Sequence, residues 1–105
     1  MIISIFPTEE EAKKVAMQLL KERLVACVNI IPQIKSLYWW KDKIQEDQEV
    51  MVFIKSREDV ESKIIDKIKS LHSYEVPAIF AVNSTDKIYS EYMKWIVKET
   101  EVLPE

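Results

Sequence analysis

The chain has 105 residues, 48% of them hydrophobic and 31% charged, with a formal net charge of −3, so a single domain spanning residues 1–105 is expected. Lys and Arg are scattered rather than clustered, which argues against a nucleic-acid surface. No run reaches the roughly 18 apolar residues that a membrane span needs.

Residues 1–6 are apolar and β-branched and read as a buried strand closed by Pro7. This opening lacks the positive region of a signal peptide. With Cys27 as the single cysteine, it leads to an expected cytoplasmic location. Thr8-Glu9-Glu10-Glu11 matches a capping box, and three Glu suit a positive helix end. Ala12, Val15, Ala16, Leu19 and Leu20 follow at helical spacing, predicting a helix to about Arg23.

Residues 24–31 and 34–40 predict one long strand bent at Pro32. Lys41-Asp42-Lys43 is the turn, with Asp42 suited to the left-handed conformation. Residues 44–56 return as a second long strand, with Val50, Val52 and Ile54 on one face and Met51, Phe53 and Lys55 on the other. Ser56-Arg57-Glu58-Asp59 is a second cap signal. It opens a helix that carries Val60, Ile64, Ile65, Ile68 and Leu71. A fourth strand is expected over 76–83, and a last helix over 90–99.

The order β-α-β-β-α-β plus a helix is the split βαβ pattern. It predicts an α+β, ferredoxin-like sheet with a long β2-β3 hairpin and an extra C-terminal helix. Strands usually run about 3–10 residues, and the hairpin arms exceed that. Helices of about sixteen residues, roughly 24 Å long, cover only part of them. The uncovered tips carry Tyr38, Trp39, Trp40 and Ile44. Either these fold back on their own core or they bury in a neighbouring subunit. An exposed aromatic patch and bare sheet edges point to closed association.

Five co-linear segments carry a resemblance: residues 22–30 (ERLVACVNI), 36–44 (SLYWWKDKI), 49–56 (EVMVFIKS), 71–79 (LHSYEVPAI) and 92–96 (YMKWI). Together they resemble the CutA family over nearly the whole chain. The resemblance implies a homotrimer joined by its hairpins, like PII signalling proteins. It also implies a link to divalent-cation tolerance, with copper bound by some members. Asp42 stands where that family has Gly, and Ser73 where it has Pro. The family's copper-ligand positions fall on Ser4, Leu71 and His72, and only His72 keeps a ligand residue there.

His72 is the only histidine, readable as one metal ligand or as a hydrogen-bonded loop residue at a subunit boundary. Cys27 reads as a small buried hydrophobe. Lys55, Glu49 and Tyr74 lie on the matched segments. They either line a ligand cleft between subunits or make inter-subunit contacts. Trp40, Tyr92 and Trp95 read as packing residues or as ligand-stacking surfaces.

No Gly-rich phosphate loop, metal-spaced cluster or Ser-His-Asp set is present, so an enzyme is not expected. Two functions remain. One is a divalent-cation tolerance trimer with Cu2+ or another divalent metal as candidate cofactor. The other is a PII-like module binding a small anionic ligand or a partner protein. The absence of Gly, with dense Lys and Glu, adds an expectation of heat stability.

Overall fold

The structure, a computed structural model, describes residues 1–83 and 87–101. The elements are β1 (Ile2–Phe6), α1 (Glu9–Lys21), β2 (Cys27–Trp40), β3 (Lys43–Lys55), a 3-10 turn (Glu58–Val60), α2 (Glu61–Leu71), β4 (Ile79–Ala81) and α3 (Ser90–Glu99). The sheet order is β2-β3-β1-β4, with every pair antiparallel. This is the expected ferredoxin-like α+β arrangement.

Strand alternation sorts the side chains. Ile2, Ser4 and Phe6 of β1 and Val50, Val52 and Ile54 of β3 are buried beneath the helices. The apolar ones pack with Ala12, Val15 and Leu19 of α1 and Ile64 and Ile68 of α2 into one core. Ile3, Ile5, Met51 and Phe53 point to the opposite, open face and are only half-buried.

The Thr8 cap forms, its hydroxyl accepting from the Glu11 N–H at 3.1 Å. The reciprocal half of the capping box is replaced: Glu11 Oε2 accepts instead from the Ser73 N–H, at 3.1 Å. α1 ends at Lys21, two residues before the expected limit. Arg23 takes φ 58°, so the Leu24 N–H bonds the Leu19 carbonyl at 3.2 Å and the Arg23 N–H bonds the Leu20 carbonyl at 3.0 Å. That is a Schellman closure, formed in a chain without Gly. Arg23 is also held by Glu99 of α3, at 3.1 Å.

Because residues 24–26 make this closure and its exit, β2 begins at Cys27 rather than at 24. The bend at Pro32 is a bulge. Ile31 pairs with Met51 but Ile34 with Glu49, so β2 carries one extra residue there. That insertion exchanges faces. Beyond it, Ser36, Tyr38 and Trp40 lie on the open side opposite Asp47, Gln45 and Lys43. Leu37 and Trp39 continue the helix side.

Lys41 and Asp42 have φ 50° and 63°. Positive φ at both turn positions matches the right-handed strand twist. The expected cap at Ser56 does not form, because its hydroxyl donates to the Leu24 carbonyl. A 3-10 turn therefore precedes α2, whose N-cap position, Val60, has no side-chain hydrogen bond. β4 is shorter than expected, at three residues. Pro77 has no N–H to extend it, although single bonds from Ile5 to the Ala78 carbonyl and from Val82 to the Met1 carbonyl flank it.

Candidate functional site

The segment after α2 wraps from the helix side to the open side of the sheet. His72, which follows α2, anchors it. Its ring stacks on Phe6 with centroids 4.4 Å apart. Nε2 lies 2.7 Å from the Ile5 carbonyl oxygen, so it carries the proton and donates. Nδ1 accepts from the Tyr74 N–H at 3.1 Å. The imidazole is fully buried, and Glu11 Oε2 approaches Nδ1 to 3.6 Å.

This arrangement aims Tyr74 at β3. Its hydroxyl donates to Glu49 Oε2 at 2.6 Å. Burial, and then the Glu49 hydrogen bond and charge, push the Tyr74 hydroxyl well above the ordinary phenol range. Nearby, Tyr38 donates to Asp47, and that bond raises the Tyr38 pKa to about 12. Glu49 is 7% exposed and lines a cavity of about 580 Å³ on the open side with Tyr38, Trp40, Tyr74 and Glu75.

Of the residues expected at a cleft, Glu49, Tyr74 and Trp40 are therefore brought together. Lys55 is not. It sits at the far end of β3, where its ammonium meets the Asn29 side chain, and lines a separate cavity of about 1030 Å³ beside α3. Tyr38 and Glu75 were missed as site residues. The alternation Ser36-Tyr38-Trp40 signals Tyr38 once the bulge is recognised.

The family's copper positions do not fit a metal here. Ser4 is completely buried, and its hydroxyl donates to the Ala78 carbonyl at 2.8 Å. Leu71 offers no donor atom and is 40% exposed. Both His72 nitrogens are engaged. Among the described residues no group of three or more His, Cys, Asp or Glu is placed to hold a metal. Cys27 is half-buried rather than a core residue. It pairs with Lys55 at the start of β2, on the face away from the helices.

Comparison with known proteins agrees with this architecture. The family model of the CutA1 divalent ion tolerance protein matches residues 1–99. The divalent-cation tolerance protein CutA of Pyrococcus horikoshii is 43% identical over 99 residues, covering 94% of this chain and 95% of that protein. The crystal structure of Pyrococcus horikoshii CutA1 superposes with a TM-score of 0.89 over 97% of this chain and 100% of that one. The structure described as the periplasmic divalent cation tolerance protein CutA from Archaeoglobus fulgidus gives a TM-score of 0.91 at 36% identity, over 95% of this chain and 96% of that one. The chain spans about half the length of the bovine and human relatives, at 55% and 52%. By sequence and by fold, this chain belongs to the CutA1 family of divalent ion tolerance proteins.

Proposed function

We propose that this chain serves divalent-cation tolerance as a homotrimer joined through its β2–β3 hairpins, acting by binding rather than by catalysis. The observation that carries this reading is the hairpin itself. Among the described residues no helix covers its distal half, and Leu37, Trp39 and Ile44 are 67%, 71% and 65% exposed on one side. Below it, the open face presents Ile3, Ile5, Met51 and Phe53 half-buried. A long free strand edge next to such a patch favours pairing with further copies of the same chain. Light scattering coupled to gel filtration tests this. The expected mass is three times the 12.4 kDa chain, and a stable monomer at micromolar concentration overturns the reading.

Direct copper binding at Ser4, Leu71 and His72 is not part of this proposal, for the reasons of geometry given above. A second reading is a PII-like module that binds a small ligand at the open-side cleft. The cavity against Glu49 and Tyr74 favours it, since its volume of about 580 Å³ lies within the usual range for small-molecule sites.

A further inference from the structure

We propose that the open-side cavity at Glu49 takes a small organic cation with an ammonium group. The proposal rests on reading this cleft as a ligand site and reverses the anionic ligand expected from sequence. The charge of the lining is the reason. Among the described residues, Glu49 and Glu75 are its carboxylates and no Lys or Arg lines it.

Glu49 is the centre of the argument. A carboxylate 7% exposed ordinarily has a cation beside it, because desolvating an unpaired charge is costly. Among the described residues Glu49 is in no ion pair. Its Oε2 holds the Tyr74 hydroxyl. The side chain itself lines the cavity.

The aromatic part of the wall is Tyr38, Trp40 and Tyr74. Ring faces attract ammonium groups within about 6 Å, Trp most strongly. Lys41, which does not line the cavity, already sits 5.8 Å from the Trp40 ring centroid. A mostly buried carboxylate beside Tyr38, Trp40 and Tyr74 recognises an organic cation by charge and by π-face together. A hydrated divalent metal would find too few oxygen ligands here.

The test uses the intact protein as it assembles in solution. Choline is titrated by calorimetry and by tryptophan fluorescence, beside its neutral isostere with carbon in place of nitrogen. ATP and Mg2+ serve as anionic and metal arms. Saturable choline binding is expected, with the isostere weaker by about tenfold or more. Glu49→Gln keeps an acceptor for Tyr74 and removes the charge. It should weaken choline by about tenfold or more while light scattering and circular dichroism stay unchanged. Trp40→Leu should weaken it independently.

Equal binding of choline and its isostere, or binding indifferent to Glu49→Gln, overturns the proposal. ATP binding without choline binding overturns the cation and leaves the cleft standing. Mg2+ binding that depends on Glu49 without choline binding does the same. A protein of trimeric mass that binds none of the four has the cleft filled by its own subunits, and both cleft and cation fall while the assembly stands.

Discussion

The imidazole of His72 and the carbonyl of Ile5, 67 residues apart in sequence, meet at 2.7 Å. This bond ties the end of α2 to β1 and, through the Tyr74 N–H on Nδ1, sets the path of the chain toward Glu49. A residue that the family resemblance offers as a copper ligand is thus a structural clasp in this fold.

His72→Ala should accordingly cost about 2–4 kcal/mol, from the stacking cavity beside Phe6 and the orphaned carbonyl and amide. Denaturant unfolding at fixed protein concentration reads this. A loss within ~0.5 kcal/mol, the range of ordinary surface substitutions, contradicts the clasp. Cu2+ calorimetry separates the roles: wild type and a folded His72→Ala should titrate alike, and a large selective loss of copper in the variant would restore the ligand role.

Alkaline pH should weaken the protein through Tyr38 and Tyr74. Both hydroxyls are held protonated, Tyr38 to about 12 by its bond to Asp47, Tyr74 by burial and Glu49. A folded pKa above the unfolded value, about 10 for Tyr, binds the proton more tightly in the folded state. That stability is complete below pH ~10 and is lost as the pH rises through the folded values. The melting midpoint should therefore fall above pH ~10, and less so in Tyr38→Phe with Tyr74→Phe. An identical decline in the double variant refutes the assignment.

Periodicity made the sheet and its buried face legible: Val50, Val52 and Ile54 are apolar at period two and are all buried. It does not carry across a position where one residue changes the count. The extra residue at Pro32-Gln33 moves Tyr38 and Trp40 to the open side, a consequence that propensity alone does not reveal. Cap signals were legible where the side chain had no better partner. Thr8 caps its helix, whereas Ser56 is taken by the Leu24 carbonyl, 32 residues away. The Glu49–Tyr74 contact spans 25 residues. The matched segments picked out both residues, but their pairing came only from the folded chain.

Asp42 should be improvable. At φ 63° a residue with a Cβ is disfavoured, and only its short polar side chain makes Asp tolerable. Asp42→Gly should stabilise the turn by ~0.5–1 kcal/mol, net of the extra entropy Gly gives the unfolded chain. Destabilisation by that variant would mean that the carboxylate makes a contact important to the hairpin.

Heat stability is a separate expectation. Short connections, one Schellman closure without Gly, a capped α1 and ion pairs tying α1 to α2 and α3, Glu22–Lys67 at 3.1 Å and Arg23–Glu99 at 3.1 Å, favour a melting midpoint of ~90 °C or more. Scanning calorimetry at two protein concentrations checks it, since a trimer melts higher when concentrated. A midpoint in the range of about 45–65 °C contradicts it.

The assembly can be attacked without touching the protomer core. Trp39 and Ile44 face each other across the hairpin, 71% and 65% exposed, beyond the reach of α1 and α2. An apolar cross-strand pair so placed contributes little inside one chain, but buried between chains it is worth about 1.5–3 kcal/mol per side chain. Trp39→Glu with Ile44→Lys keeps a favourable opposite-charge pair across the strands, so each hairpin should still form. In the proposed homotrimer, threefold repetition would multiply the loss between subunits, and the desolvation of two new charges would add to it. The double variant should therefore elute at lower mass while keeping the circular dichroism of the folded chain. A variant that keeps the full trimer mass would place the subunit contacts elsewhere on the sheet, on the open face with Ile5 and Phe53 rather than on the hairpin tips.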